Sequence, residues 1–263
     1  MVQVVGILNV TPDSFYDGGE HNSVTTAINQ TERMLSEGAD VIDIGCESTR
    51  PGSDKVSLKE ELIRLSAVLP AIRSLTDKPI SIDTYKPEVM AYAIEQGVDM
   101  INDIFALRSP GALETIAQCN VKVCLMHIHG SIENMHEKPH YNDVAEDVCD
   151  FFSSRIEVCK QSGIDASRII LDPGFGFSKK SDENFKLLKE LEMFQRFGLP
   201  IYIGVSRKRF IGSLLNSDGP HDRLIGSLVA ASWACQQGVA YVRTHDVRQT
   251  REAINMTQAI LNG

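Results

Sequence analysis

Four polar side chains stand out in this sequence because each closes or directly follows a short apolar run. Asp83 ends PISID, Asn102 ends VDMIN, Asp172 ends RIILD, and Lys208 follows LPIYIGVSR. Two carboxylates, an amide and an ammonium at one place suit a flat heterocycle with several N–H donors, such as an aminopyrimidinone ring. Asp accepts from paired amidine-like N–H groups, while Asn and Lys serve ring carbonyl or nitrogen acceptors. Buried carboxylates persist only when paired or hydrogen-bonded. A structural ion pair or strand-end cap would account for Asp83 or Asp172 singly, but less readily for all four.

A second set is cationic: Arg50, Arg243 and His245, with Arg207 a weaker member. The planar guanidinium fork matches phosphate oxygens bidentately. Asn9 and Asp13 could offer oxygen ligands to Mg2+, which commonly takes few protein ligands and completes its shell with substrate phosphates. The pair His127-x-His129 could be half of a zinc site, but His245 is the only other histidine at a strand end. Packing or supporting hydrogen bonds is therefore the expected role of the pair. His21, His136, His140 and His221 fall in loop-like segments and are expected in solvent.

These residues need elements to position them. Helical stretches end in Gly38, Gly97, Gly163, Gly198 and Gly238, and a β-branched apolar run starts within a few residues of each. Gly accepts the left-handed conformation just past a helix C-terminus, and continuous apolar runs suit buried parallel strands. Adding VQVVGILN, PISID and VKVCLM gives eight strands starting near positions 2, 40, 79, 99, 121, 168, 200 and 239. Between them, apolar positions such as Val24, Ile28, Met34 and Leu35 share one helical face, and Pro87 sits where a first-turn proline belongs.

Eight strand-helix units within 263 residues predict a single-domain (β/α)8, or TIM, barrel over 1–263. The rival, a doubly wound open sheet, would want a Gly-rich fingerprint after its first strand. Gly6-Ile7-Leu8-Asn9 is not one. The polar clusters follow the strands directly, at the barrel end where loops build active sites. The stretch Leu224–Gln237 is apolar nearly all round, which on the outside of a barrel points to a subunit interface, or else to a helix covered by its own neighbours.

Composition bounds the function. With 43% hydrophobic and 23% charged residues the chain is not disordered. The 26 Lys and Arg against 35 Asp and Glu give a net charge of −9, which argues against nucleic-acid or anionic-membrane partners. An anionic ligand must then meet a local basic pocket. No run of 18 apolar residues is present, and the six Cys form no C-x-x-C. With no secretory leader at the N-terminus, a cytoplasmic protein with reduced thiols is expected.

The segments ILNVTPDSFYDGG, DIGCESTRPGS, SIDTYKPEV, INDIFAL, LMHIHG, LDPGFGFSK, GVSRKRFIG and VRTHDV resemble, in order from Val4 to Val247, those of the dihydropteroate synthases, a pterin-binding family. The first, second and sixth are highly specific.

The resemblance implies condensation of (7,8-dihydropterin-6-yl)methyl diphosphate with p-aminobenzoate (4-aminobenzoate), giving 7,8-dihydropteroate and diphosphate in tetrahydrofolate biosynthesis, by an SN1-like route. It implies that Asp83, Asn102, Asp172 and Lys208 hold the pterin, and that Thr49, Arg50, Pro51, Phe177 and Lys208 border the p-aminobenzoate pocket. Asn9, Arg50, Arg243 and His245 would meet diphosphate, with Asn9 and Asp13 at a magnesium ion. Asp83, Lys208, Arg50 and Asp13 would act in catalysis, Asp13 and Phe15 lying in a first loop that closes over the reactants. A homodimer is implied as well.

The sequence departs from the family pattern at Cys46, His129, Ser178, Thr244 and Arg209. Arg209 stands where a Ser often meets the p-aminobenzoate carboxylate, the group that sulfonamides mimic. Rival readings are a barrel passing a methyl group from methyltetrahydrofolate to a corrinoid partner, and a catalytically silent pterin-binding subunit. A hydrolase built on His127 and His129 is a third. The first needs neither the Ser206-Arg207-Lys208 run nor Arg243-x-His245; the second would be expected to lack Asp13, Arg50 or Lys208. All of these are present.

Overall fold

The structure is a computed structural model, which describes residues 1–10, 20–48, 55–217 and 219–263. The strands are β1 (Gln3–Asn9), β2 (Val41–Gly45), β3 (Ile80–Asp83), β4 (Met100–Asp103), β5 (Lys122–Met126), β6 (Ile169–Asp172), β7 (Tyr202–Ile203) and β8 (Tyr241–Thr244). The helices are α1 (Glu20–Ser36), α2 (Leu58–Leu75), α3 (Pro87–Glu95), α4 (Ala112–Ala117), α5 (Val144–Gln161), α6 (Ser181–Lys189), α7 (Arg209–Leu215), α8 (Leu224–Gln236) and α9 (Val247–Asn262).

All ladders are parallel, in the order β6-β5-β4-β3-β2-β1-β8-β7. A parallel bridge between Leu171 and Ile201, with the Leu171 N–H donating to the Pro200 carbonyl at 3.0 Å, joins β6 to β7. The ring of helices and the strand succession make a (β/α)8 barrel, as the apolar runs and their glycines predict. Gly38 and Gly163, for instance, take φ of 98° and 84° at their helix ends.

Period-two alternation explains why the site sits where it does. Val5, Val41, Met100, Cys124, Ile170, Tyr202 and Tyr241 form an apolar plug distinct from the core between strands and helices. Two residues further along each strand, on the same inner face, come Ile7, Asp43, Asn102, Met126, Asp172, Gly204 and Arg243. The barrel interior thus turns from apolar to polar toward the C-terminal ends of its strands. The six cysteines are unpaired thiols, five of them buried.

The α8 helix leaves Ile225 75%, Val229 64% and Trp233 42% exposed, one stripe at i, i+4 and i+8. Leu214 and Leu215 of α7 are exposed beside it.

Candidate active site

Strand register sets Asn9, Gly45, Asp83 and Asn102 in one row across β1 to β4. Gly45 keeps that row open. A Cβ there would lie 3.6 Å from the Asp83 Cβ and 3.7 Å from Asn9 Oδ1, filling the space between the two side chains. Asn102 is buried, and its Oδ1 has no hydrogen-bond partner among the described residues, so an acceptor stands ready for a ligand N–H.

Arg243 reaches this row from β8. Its Nε donates to Asp43 Oδ2 at 2.6 Å and its Nη2 to Asp83 Oδ2 at 2.8 Å, while Asn102 Nδ2 donates to the same Asp43 oxygen at 3.3 Å. Asp43 is fully buried and Arg243 retains 20% side-chain exposure. Burial works against the Arg243 charge, yet the two carboxylates hold its pKa above the ordinary guanidinium value. Burial raises the Asp83 pKa, with Asp43 and Glu61 adding to the rise and Arg243 opposing it.

Asp172 closes β6, and its Oδ1 accepts the Gly174 N–H at 2.8 Å. Burial pushes its carboxyl up to about 6, against the Gly174 N–H, Lys208 and Lys179. Gly174 has φ of 73°, and a Cβ on it would collide with the His127 carbonyl, so only glycine fits this turn.

The loop is pinned from below by Lys179. Its buried ammonium donates to His127 Nδ1 at 2.9 Å, to Gly174 O at 3.0 Å and to Phe177 O at 3.1 Å. Three acceptors match three N–H donors. Burial pushes Lys179 down to about 7 and holds His127 well below its ordinary value, so the imidazole is the neutral acceptor. Phe177 at the end of the loop carries the Lys208 ammonium 4.2 Å above its ring centroid.

The loops after β7 and β8 meet at His245. Ser206 Oγ lies 3.0 Å from His245 Nδ1 and accepts the His245 N–H at 3.2 Å. Arg207, considered above for the cationic subsite, is instead spent on Asp246. Its Nε donates to Oδ2 at 3.0 Å and its Nη2 to Oδ1 at 2.5 Å, so it braces one loop against the other.

Asn9, Asp83, Asn102, Asp172, Phe177, Lys208, Arg243 and His245 therefore all lie at the C-terminal ends of the strands or in the loops that follow them. Asp13, Phe15, Thr49, Arg50 and Pro51 lie outside the described residues. Near either end of 49–54, Lys86 Nζ grips Glu47 Oε2 at 2.6 Å and the Val56 carbonyl at 2.7 Å. His127 and His129 do pack and hydrogen-bond, His129 standing edge-on to Tyr141 with ring centroids 6.2 Å apart.

His136 corrects an expectation: it is partly buried and stacks on Phe177 at 5.7 Å, because the 130–140 segment folds back over the β6 loop. Among the described residues no group of three or more His, Cys, Asp and Glu side chains is placed to hold a metal. Arg209 is exposed at the first position of α7.

Two residues of this site escaped the sequence reading. Asp43 is a carboxylate inside the apolar run ADVIDIG, in phase with inward-facing Val41, and that phase is its signal. Lys179 looks like a solvated loop lysine beside Lys180; nothing in the sequence marks it as buried.

Residues 5–245 match the family described as pterin binding enzyme. The chain is 48% identical over 259 residues to the dihydropteroate synthase of Escherichia coli (strain K12), covering 98% of this chain and 92% of that one. A solved Xanthomonas albilineans dihydropteroate synthase with 4-aminobenzoic acid superposes with a TM-score of 0.94 at 44% identity, covering 100% of this chain and 94% of that one. The enzyme from the same organism in complex with 7,8-dihydropteroate gives a TM-score of 0.90 at 42% identity, with the same coverage. The polar row, the buried Asp172 and the Arg243–His245 corner thus stand on a fold and a sequence shared with these enzymes over nearly their whole length, and the chain belongs to the pterin-binding enzyme family, among its dihydropteroate synthases.

Proposed function

We infer that this protein condenses (7,8-dihydropterin-6-yl)methyl diphosphate with 4-aminobenzoate to give 7,8-dihydropteroate and diphosphate. The observation that carries the reading is the meeting, at one barrel mouth, of the Asp83–Asn102 row and Asp172 with the Arg243–His245 corner.

Asp83, Asn102, Asp172 and Lys208 hold the pterin ring by its polar edge. Arg243 and His245, with Asn9 and Arg50, hold the diphosphate. Phe177 and Lys208, with Thr49, Arg50 and Pro51, border the arylamine. The bond from the pterin methylene to the diphosphate oxygen breaks with its electron pair leaving on diphosphate. The methylene cation delocalises into the ring, and the carboxylate of Asp83 stabilises it. A preorganised group of this kind contributes roughly 3–4 kcal/mol. The arylamine nitrogen then forms the new C–N bond and loses a proton. No nucleophilic side chain is required, and closure of the first two loops, which carry Asp13 and Arg50, keeps water from the cation.

Magnesium fits this site as a substrate-shared ion. Asn9 offers an amide oxygen in the same row as Asp83, an oxygen setting suited to a hard cation that takes few protein ligands. Asn9 and Asp13 would hold it, and when bound it neutralises charge on the departing diphosphate.

The exposed Ile225, Val229 and Trp233 stripe beside Leu214 and Leu215 supports a homodimer through α7 and α8. The unpaired thiols support a cytoplasmic location. We take 1–263 as one pterin-binding barrel domain.

The test is diphosphate release from the pterin diphosphate with 4-aminobenzoate, followed by chromatography for 7,8-dihydropteroate. Stoichiometric release and product are expected. Methyl transfer from methyltetrahydrofolate to a corrinoid, with no diphosphate released, would replace this reading.

A further inference from the structure

We propose that Ser206 is a positioning residue that fixes the tautomer of His245, leaving the ring proton on Nε2 as a donor for the leaving diphosphate. The inference rests on the reading that His245 meets diphosphate.

It follows from counting protons. A serine hydroxyl has one hydrogen and two lone pairs. Ser206 is buried, and its Oγ accepts the His245 backbone N–H at 3.2 Å, a donor that cannot reverse. It also lies 3.5 Å from Thr244 Oγ1, which donates to it. Thr244 Oγ1 accepts the Asp246 N–H at 3.1 Å and, with its own hydrogen on Ser206, takes the Thr250 hydroxyl of α9, 2.9 Å away, as its second donor, so a hydroxyl chain runs from α9 to the β7 loop.

With both lone pairs engaged, the Ser206 hydrogen has His245 Nδ1, 3.0 Å away, as its acceptor. With the chain running in this sense, Thr250 to Thr244 to Ser206, a protonated Nδ1 would bring a third donor to an oxygen with two lone pairs. Nδ1 is therefore the acceptor, and the neutral ring carries its proton on Nε2, the nitrogen on the ring edge away from Ser206. The other tautomer would turn a lone pair toward an oxyanion, repelling it where Nε2–H attracts it. Ser206 need not touch substrate to matter; it decides which face of the imidazole is a donor.

The experiment uses the full chain with 15N-labelled histidine. Long-range 1H–15N correlation should show His245, assigned by the loss of its signals in His245→Gln, with unprotonated Nδ1 and protonated Nε2. Ser206→Ala should shift that pattern toward a mixture and weaken binding of inorganic pyrophosphate by about 10- to 100-fold, the worth of one hydrogen bond to a charged group. Binding of free dihydropterin should hold, and Ser206→Thr, which keeps the hydroxyl, should restore both readouts. If the alanine variant folds poorly, Ser206→Cys, a weak donor, is read the same way.

A protonated Nδ1 in the parent, or Ser206→Ala with unchanged tautomer and unchanged pyrophosphate affinity, would overturn the proposal. Pyrophosphate affinity unaltered in His245→Gln would overturn the diphosphate role of His245 instead, whatever the tautomer.

Discussion

Arg243 and Asp83 are joined by a 2.8 Å ion pair although β1 and β2 lie between their strands. The guanidinium spans the interior of the barrel because Asp43, fully buried on β2, takes its Nε at 2.6 Å on the way. One arginine thus ties the carboxylate proposed to face the pterin to a carboxylate that faces only protein. Asp83 spends on Arg243 an oxygen that the pterin ring would compete for.

The two carboxylates should behave differently on mutation. Asp83→Ala is expected to lower turnover at least about 100-fold, the loss of one preorganised charge, with the fold intact. Asp43→Ala strands a buried guanidinium with a single partner and should cost about 3–5 kcal/mol of stability. Steady-state kinetics and urea unfolding of both variants check this. Near-parental turnover in Asp83→Ala would remove it from the pterin site.

Asp172 predicts opposite pH trends for activity and stability. Its carboxyl is raised to about 6 by burial, so the ionised acceptor is lost as pH falls through that value. The pH profile of kcat/KM should show an acid limb centred there. For stability, a carboxyl raised in the folded state favours folding most below its ordinary pKa of about 3.9, and that contribution fades as pH rises through 6. The difference amounts to about 3 kcal/mol. Asp172→Asn should therefore melt higher than the parent at pH 8, yet bind dihydropterin at least about tenfold more weakly. A variant that melts lower at pH 8 contradicts the assignment.

Lys179→Met should loosen the loop that carries Phe177. It leaves the Gly174 and Phe177 carbonyls and His127 Nδ1 without their shared donor, at roughly 1–3 kcal/mol for each buried group left unpaired. We expect a lower melting temperature and a raised KM for 4-aminobenzoate, measured with pterin diphosphate saturating. An unchanged KM would separate this lysine from the arylamine side of the site.

Val229→Glu on the exposed face of α8 should convert the proposed dimer to a monomer without unfolding, since Val229 is 64% exposed in the single chain. Sedimentation velocity reads the outcome directly. A dimer that persists would place the interface elsewhere.

The sequence by itself determined the barrel and most of its mouth. Chain-local signals suffice for these: Gly38 and Gly163 end helices through a conformation glycine tolerates, and alternation within each run fixes which residues face inward. Because a parallel barrel puts every strand's C-terminus at one end, Asp83, Asn102 and Asp172 had to gather once eight strands were recognised. Which partner each side chain takes is a different matter. Arg243 meets Asp43 from 200 positions away, and Arg207 meets Asp246 instead of joining the cationic corner. Lys179 and Lys180 are neighbours in sequence, one buried against three acceptors and the other exposed. Those choices depend on stagger between strands and on loop-to-loop contacts, which no local pattern encodes. Only the tertiary structure decided them, because a buried charge accepts whichever partner lies within about 3 Å and compensates its desolvation.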